Sequence, residues 1–225
     1  QLGNKMILKE INIDKDFELW NSIVLNSPDF YTIAHNPSLI QYLDKTLQWK
    51  GSSFFIMNED ELIGVYQHSF PNKNKSVSMP HFSYGGIVRK NDNFSKQEIF
   101  SKIFDCFGET FEVRDFEPYT PFFDDTKVAT FLELEVTVEE QLDLFKSNHR
   151  RKIKKAYKNN LEVKIESSKE AVLDFYKIYT QNMLRLGSPS LSKKFFLNLT
   201  THYQFGEVTV FLVYKNQEVI GGAIV

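Results

Sequence analysis

The spacing of hydrophobic residues along the chain predicts the same series of strands and helices twice. A strand pattern comes first, then two stretches with apolar residues at helical spacing, and two strand patterns joined by a polar turn complete the series. The first series runs from a strand candidate at 6–13 to a hairpin at 54–66. The second runs from a strand candidate at 161–167 to a hairpin at 211–223. The sequence therefore predicts an α/β fold with mixed sheets in which the order β-α-α-β-β occurs twice.

The two hairpins align without a gap. Residues 54–64 read FFIMNEDELIG and residues 211–221 read FLVYKNQEVIG, so the offset from Phe54 to Phe211 and from Gly64 to Gly221 is the same, 157 positions. A short polar turn between two apolar runs is typical of a β-hairpin, and a glycine inside the second strand indicates a bulge or a close backbone approach. We interpret the two series as a duplication.

Local signals predict where the helices begin and end. Asn36 and Pro37 suit the start of the second helix in the first series, with asparagine as the cap and proline at the first helical position. In the second series a long helix is expected to end at Gly187, and a shorter one covers 191–203.

The two series differ on their carboxyl-terminal sides. A predicted helix at 95–107 and a predicted strand at 110–116 come after the first hairpin, whereas the given sequence stops at Val225 directly after the second. Such an ending would leave a hydrophobic strand edge unpaired, which proteins avoid. We therefore expect the chain to be a fragment of a longer protein.

A helical wheel of residues 142–158 separates an apolar arc from a basic arc. The apolar arc consists of Leu142, Phe145, His149, Ile153 and Ala156, and the basic arc of Arg150, Arg151, Lys154, Lys155 and Lys158. We expect the apolar arc to be buried, with His149 as a core histidine. Because the whole chain carries a formal net charge of −2, cations concentrated on one helix favour a phosphate-bearing partner. A solvated helix face is the alternative.

Three stretches resemble the FemAB-like family. They are SMPHFSYGG at 78–86, the helix that begins with Arg150 and Arg151, and RLGSP at 185–189 with two phenylalanines downstream at 195–196. This family has two GNAT acyltransferase folds in tandem, and its best-known members extend peptidoglycan peptide bridges with amino acids from aminoacyl-tRNA. The resemblance implies a first GNAT-like domain at 5–136 and a partial second one at 137–225. His81 stands where the family has phenylalanine, so the pocket of that loop is expected to differ.

The resemblance also implies a function and its residues. We expect an acyltransferase that moves an acyl or aminoacyl group onto an amine of a cell-envelope precursor, either a peptidoglycan or a nucleotide-sugar precursor. The substrate-binding residues would be Tyr84, Gly85 and Gly86 of the loop, Arg150, Arg151, Lys154 and Lys155 of the basic helix, and Arg185. Arg150, Arg151 and Lys155 are predicted to line a cleft opposite Tyr84. Arg185 has an alternative role as an electrostatic cap of its helix, and His81 is the candidate proton acceptor.

Several alternatives remain open from the sequence. The acyl donor is either aminoacyl-tRNA or acyl-CoA, and no tightly bound cofactor is expected. No metal site is expected either, because the histidines lack ligand spacing. The competing function is a non-catalytic module that binds RNA or another polyanion through residues 150–158. A secretory signal and an apolar run of roughly 18 residues are both absent, so no membrane span and a cytoplasmic location are expected. The single cysteine, Cys106, is expected to be a buried structural thiol.

Overall fold

The computed structural model describes residues 6–107, 111–121, 123–124, 126 and 129–225. The chain forms two compact units. Unit 1 comprises Gln1–Phe123 together with Thr201–Glu207, and unit 2 comprises Asp124–Thr200 together with Val208–Val225. Residues 201–207 thus group with unit 1, and the predicted domains at 5–136 and 137–225 stay a prediction.

Unit 1 contains a mixed sheet with helices on its faces. Its elements are β1 (Met6–Glu10), α1 (Ile13–Leu25), a 3-10 turn (Ile33–His35), α2 (Ser38–Leu47), β2 (Gly51–Asn58), β3 (Glu61–Asn72), β4 (Lys75–Val77), β5 (Val88–Arg89), α3 (Lys96–Phe107) and β6 (Phe111–Glu112). The strand order is β1-β2-β3-β4-β6, with β5 paired to β3. The β4–β6 pair is parallel and the other pairs are antiparallel. The prediction of an α/β fold with a mixed sheet is confirmed.

The strands of unit 1 bury side chains on both faces, because alternate residues of a strand point to opposite sides of the sheet. On one face Ile56 and Tyr66 pack against Ile99 and Ile103 of α3. On the other face the cluster consists of Phe55, Val65 and Val88 with Trp20, Ile23 and Val24 of α1. The apolar stripe that the sequence predicted for α1 is therefore the side that packs against the sheet.

Unit 2 is built from four helices and a three-stranded antiparallel sheet among its described residues. The elements are α4 (Val138–Leu144), α5 (Ser147–Lys158), β7 (Glu162–Glu166), α6 (Lys169–Arg185), α7 (Lys193–His202), β8 (Val210–Lys215) and β9 (Glu218–Ile224), with the strand order β7-β8-β9. The order β7-α6-α7-β8-β9 repeats the order of unit 1 from β1 to β3, as predicted.

The two hairpins share an irregularity as well as a sequence pattern. The register shifts between Ile56 and Met57 in β2, and between Val213 and Tyr214 in β8. These positions correspond at the same offset as the rest of the alignment. The predicted bulge is confirmed in both copies, next to the glycine of the second strand.

Helix boundaries agree with the sequence signals to within about two residues. The chain leaves α6 through Gly187, which has a φ of +66°, a left-handed conformation that suits glycine. The second helix of unit 1 begins at Ser38 rather than at Pro37. Pro37 is therefore the N-cap residue, and the Asn36 side-chain oxygen accepts a hydrogen bond of 3.0 Å from the N–H of Ser38 at the first helical position.

Two predictions about burial are wrong. No residue of α5 is buried: Ile153 is half-buried, and His149 and Ala156 are exposed. His149 is therefore not a core histidine. Cys106 is exposed as well, because α3 turns Ile99 and Ile103 toward the sheet and leaves the cysteine on its outer side. Periodicity had identified the apolar side of each helix, but it does not show whether another element covers that side.

None of the described helices combines the length and the apolar character that a membrane crossing requires.

Candidate functional site

The segment between β4 and β5, residues 78–86, is the most unusual backbone in unit 1, and we call it the glycine loop. Three of its non-glycine residues have left-handed φ angles: Met79 at +50°, His81 at +72° and Ser83 at +63°. Such angles are uncommon for residues with a side chain, and they accumulate where a structure must hold a particular backbone shape. The glycine loop is the segment that the sequence singled out.

Both glycines of this loop are buried against protein atoms. A Cβ on Gly85 would lie 2.6 Å from the Met79 side chain, and one on Gly86 would overlap the carboxylate of Asp115. The backbone at these two glycines thus lies against protein atoms of unit 1. Packing alone accounts for glycine at both positions.

Two side chains near the 3-10 turn hold the carbonyl groups of the glycine loop. Thr32 donates its hydroxyl proton to the Tyr84 carbonyl at 2.8 Å, and the His35 ring hydrogen-bonds the Gly86 backbone. His35 also accepts the Thr32 N–H on Nδ1 at 3.0 Å. Burial lowers the pKa of His35 to about 4, against the raising effect of its contacts with the Thr32 carbonyl and the Gly86 backbone, so the ring is neutral at pH 7.

Unlike the carbonyl groups, several N–H groups of the glycine loop form no hydrogen bond with described residues. In the part of the chain that the structure describes, the N–H groups of Tyr84, Gly85 and Gly86 donate to no protein acceptor, whereas the next one, from Ile87, donates to the Tyr119 hydroxyl at 3.1 Å. Since a trans peptide places its C=O and N–H on opposite sides, the bond from Thr32 to the Tyr84 carbonyl turns the Gly85 N–H away from Thr32. Buried N–H groups are normally paired. These donors are therefore available to a ligand.

Aromatic contacts flank the glycine loop on both sides. The half-buried ring of Tyr84 stacks on Phe116, with 4.2 Å between the ring centroids. His81 is exposed and stacks on Trp49 at 5.2 Å. Partial burial, and next the charge of Arg114, lower the pKa of His81, which favours its neutral, proton-accepting form.

A buried ion cluster that the sequence reasoning missed lies against the glycine loop. Arg89 binds Asp29 through Nη2 at 2.6 Å and through Nε, and Lys96 Nζ lies 3.3 Å from Asp115 and 3.7 Å from Asp29. Tyr119 donates its hydroxyl proton to Asp115. Burial raises the pKa of Asp115 to about 6, although the Lys96 charge acts in the opposite direction.

No local signal could have revealed this cluster. Asp29 and Arg89 are 60 positions apart, and Lys96 and Asp115 are 19 apart. The cluster places Asp115 beside Gly86, so it fixes the backbone from which the free N–H groups project. Within the described ranges, no three His, Cys, Asp or Glu side chains are grouped so that they could hold a metal ion.

The predicted cationic residues lie in unit 2. Arg151, Lys154 and Lys155 are exposed and Arg150 is half-buried. Arg150 donates to the Asp143 carbonyl at 2.9 Å and Arg151 to Asn148 Oδ1 at 3.0 Å, and no cation of α5 forms an ion pair with a described residue. The cleft that would join them to Tyr84 stays a prediction.

Arg185 is the last residue of α6 and is exposed. Its guanidinium donates to Asn182 Oδ1 at 2.8 Å, one turn back on the same helix. This position suits the electrostatic capping role, and the predicted contact with an acceptor stays a prediction.

Comparison with known proteins adds one finding. No family model and no curated protein matches the sequence. Among solved structures, the chain is similar to the crystal structure of FemX, with a TM-score of 0.61 and 15% sequence identity over 93% of this chain and 57% of that one. The chain thus has the fold of FemX, as the resemblance to FemAB-like proteins predicted, and it spans a little over half of the FemX chain. At this identity the likeness shows the fold alone.

Proposed function

We propose that this protein transfers an acyl or aminoacyl group to an amine of a cell-envelope precursor, a peptidoglycan or nucleotide-sugar precursor. Two observations support the proposal: the fold shared with FemX, and the free backbone donors of the glycine loop. The free backbone donors are the main support, because they are groups of unit 1 that could take part in the reaction itself.

The reaction needs donors at a specific atom. The amine nitrogen attacks the carbonyl carbon of an ester or thioester, a C–N bond forms, and the carbonyl oxygen gains negative charge. When the C–O or C–S bond breaks, the alcohol or thiol leaves with the proton that the amine loses. Backbone N–H groups held in place before the reaction are well suited to stabilise the charged oxygen, and removing one such donor typically costs about 10²–10³-fold in rate. Tyr84, Gly85 and Gly86 can supply them.

The reaction does not require a strong general base. A neutral amine is itself a nucleophile, so orientation contributes more than a strong base. His81 lies in the glycine loop with a lowered pKa and is our candidate for accepting the proton. The donor, aminoacyl-tRNA or acyl-CoA, would bind without a tightly held cofactor.

The direct test incubates the protein with charged tRNAs or acyl-CoAs and with amine-bearing peptidoglycan and nucleotide-sugar precursors. Mass spectrometry should show an acceptor that gains the mass of one acyl group.

Thr32→Val removes the hydroxyl that holds the Tyr84 carbonyl, and should lower kcat by about tenfold or more while KM changes little. Thr180→Val is the matched control, because that hydroxyl bonds only to carbonyls of its own helix. Absence of transfer with every donor and acceptor, from a folded protein, would contradict the proposal.

A second candidate, a non-catalytic RNA- or polyanion-binding module, is favoured by one observation. The cations of α5 form no ion pair among the described residues, so their charge is available to a partner. Binding of duplex RNA should then weaken linearly with the logarithm of salt concentration. Replacing Arg151, Lys154 and Lys155 together by glutamine should reduce that slope. RNA binding without any transfer activity would favour this candidate over the first.

A further inference from the structure

The segment that ends α7 and leads to β8 packs on unit 1, and we call residues 201–207 the strap. From Tyr203 onward the strap belongs to no helix or strand. Phe205 has a φ of +59°, a left-handed conformation that a residue with a side chain keeps only where its surroundings hold it. The shape of the strap therefore depends on the contacts that it makes within unit 1.

The side-chain amide of Asn36 reaches three oxygens of the strap. Its Nδ2 lies 3.2 Å from the Tyr203 hydroxyl, 3.4 Å from the Gln204 carbonyl and 3.1 Å from the Phe205 carbonyl. The amide has two N–H groups, so these acceptors share two protons. The Ser38 hydroxyl donates a further hydrogen bond of 2.6 Å to the Gln204 carbonyl. The strap is thus held chiefly through its backbone carbonyl groups.

An aromatic contact completes the docking of the strap. The Phe205 ring stacks on Phe17 of α1 with 3.8 Å between the ring centroids, and it remains 48% exposed. Gly206 lets the strap fold closely on itself, because a Cβ there would overlap the Tyr203 ring. Few neutral hydrogen bonds and one half-exposed ring form a contact that opens more readily than a buried core.

The residue that holds the strap also closes the 3-10 turn beside the glycine loop. The Asn36 N–H donates to the Ile33 carbonyl at 2.9 Å and so ends the turn. His35, the preceding residue, hydrogen-bonds the Gly86 backbone through its ring. The His35 carbonyl accepts the Trp20 indole N–H at 2.7 Å. Asn36 therefore connects the strap to the turn that holds the glycine loop.

We propose that Asn36 is a positioning residue for the glycine loop, and that docking of the strap on Asn36 controls how firmly the loop is held. Release of the strap loosens the turn at His35 and, through it, the backbone at Gly86. Because Trp20 holds the turn from α1, release loosens the loop without unfolding it. The effect on rate rests on the proposed function, whereas the effect on the loop is measured without any substrate.

The first variant separates two roles of the asparagine side chain. In Asn36→Asp the carboxylate still accepts the Ser38 N–H, but it cannot donate to the strap, and its charge repels the carbonyl groups of Gln204 and Phe205. Hydrogen exchange followed by mass spectrometry should be about tenfold faster or more in the strap. In residues 78–90 it should be about threefold faster or more.

The second variant changes the strap and leaves the turn intact. Phe205→Ala removes the stacking on Phe17, so any effect on the turn has to pass through the strap. The exchange rate of the Trp20 indole N–H, followed by NMR, should rise about threefold or more. In both variants kcat for transfer should fall by about threefold or more while KM changes little.

Two controls match these variants. Asn26→Asp alters an exposed asparagine whose amide, among the described residues, donates only to the Ser22 carbonyl of its own helix. Phe104→Ala alters a 40% exposed ring of α3, which covers the other face of the sheet. Neither control should change exchange in the strap, in the glycine loop or at Trp20. Circular dichroism checks that all four variants are folded.

Three results would overturn the proposal. They are unchanged exchange of the strap in both variants, a faster strap with unchanged exchange in residues 78–90 and at Trp20, and a loosened loop with an unchanged kcat. In the last case transfer itself stands, but the strap does not control it. If the wild type transfers no acyl group, the proposed function fails instead. Faster exchange of the loop in both variants then still supports the positioning role of Asn36.

Discussion

The two hairpins have the same local geometry in different surroundings. In unit 1, Ile56 of β2 is fully buried because α3 covers that face of the sheet. Its counterpart Val213 in β8 is half-buried, and on the same face Val163 and Ile165 are 58% and 65% exposed. No described element of unit 2 takes the place of α3. A shared sequence pattern therefore specifies the hairpin, whereas the burial of its face depends on a covering helix.

The helices α3 and α5 differ in the same way. Both are amphipathic, but α3 buries Ile99, Ile103 and even Lys96, while α5 buries nothing. A lysine in α3 is consequently part of a buried ion cluster, and a lysine in α5 is a free surface charge.

The largest predicted effect comes from replacing a lysine of α3 by methionine, in comparison with the same replacement in α5. Lys96→Met should destabilise unit 1 by about 3–5 kcal/mol, since it leaves the buried carboxylate of Asp115 without its cation. Lys154→Met should change stability by less than about 0.5 kcal/mol. Urea unfolding followed by tryptophan fluorescence measures Lys96→Met, because both tryptophans, Trp20 and Trp49, lie in unit 1. Far-UV circular dichroism, which also follows the helices of unit 2, measures Lys154→Met. Similar midpoints for Lys96→Met and the wild type would show that the cluster does not stabilise unit 1.

The second prediction compares the hairpins directly. Ile56→Ala should cost about 3 kcal/mol, within the range for a buried isoleucine, and Val213→Ala roughly 1 kcal/mol or less. Hydrogen exchange of the β2–β3 and β8–β9 amides, followed by mass spectrometry, reports each hairpin separately. Equal losses of protection would mean that the β8–β9 face is covered as well.

The third prediction concerns pH. His68 is buried among aromatic rings with no partner for Nδ1, and burial lowers its pKa to about 4. The folded state then binds fewer protons than the unfolded state between about pH 6.5 and pH 4, so stability falls as the pH drops through this window. His35 acts in the same direction, and Asp115, whose pKa is raised to about 6, acts in the opposite one.

Removing that histidine should reduce the acid sensitivity of unit 1. In His68→Phe the loss of stability between pH 7 and pH 4.5 should be roughly 2 kcal/mol smaller than in the wild type. His149→Phe replaces an exposed histidine and serves as the control. Unfolding by urea at each pH provides the comparison, and an unchanged pH dependence in His68→Phe would show that this ring is not the source.

The smallest effect concerns α5. Arg151→Ala should weaken binding of duplex RNA or of a phosphate-bearing acceptor by roughly five- to tenfold, the effect of one charge-assisted hydrogen bond at an exposed site. Stability should not change, because the side chain is exposed and, among the described residues, hydrogen-bonds only Asn148 of its own helix. Filter binding at low salt measures the affinity. If Arg151→Ala binds as the wild type does, α5 is a solvated helix face.

Much of the local structure could be predicted from the sequence. The order of the elements, the two hairpins, their bulges beside Gly64 and Gly221, and the end of α6 at Gly187 all depend on residues within a few positions of one another. Such features arise from backbone preferences and side-chain periodicity, which the chain expresses without distant partners.

Only the tertiary structure decided what each face and each glycine contacts. Gly86 makes room for Asp115, Asp115 meets Lys96, and Cys106 lies outside the core. Each depends on residues brought together from distant parts of the chain. Periodicity defines an apolar side, but burial also requires a second surface that fits it, and that surface is formed by packing.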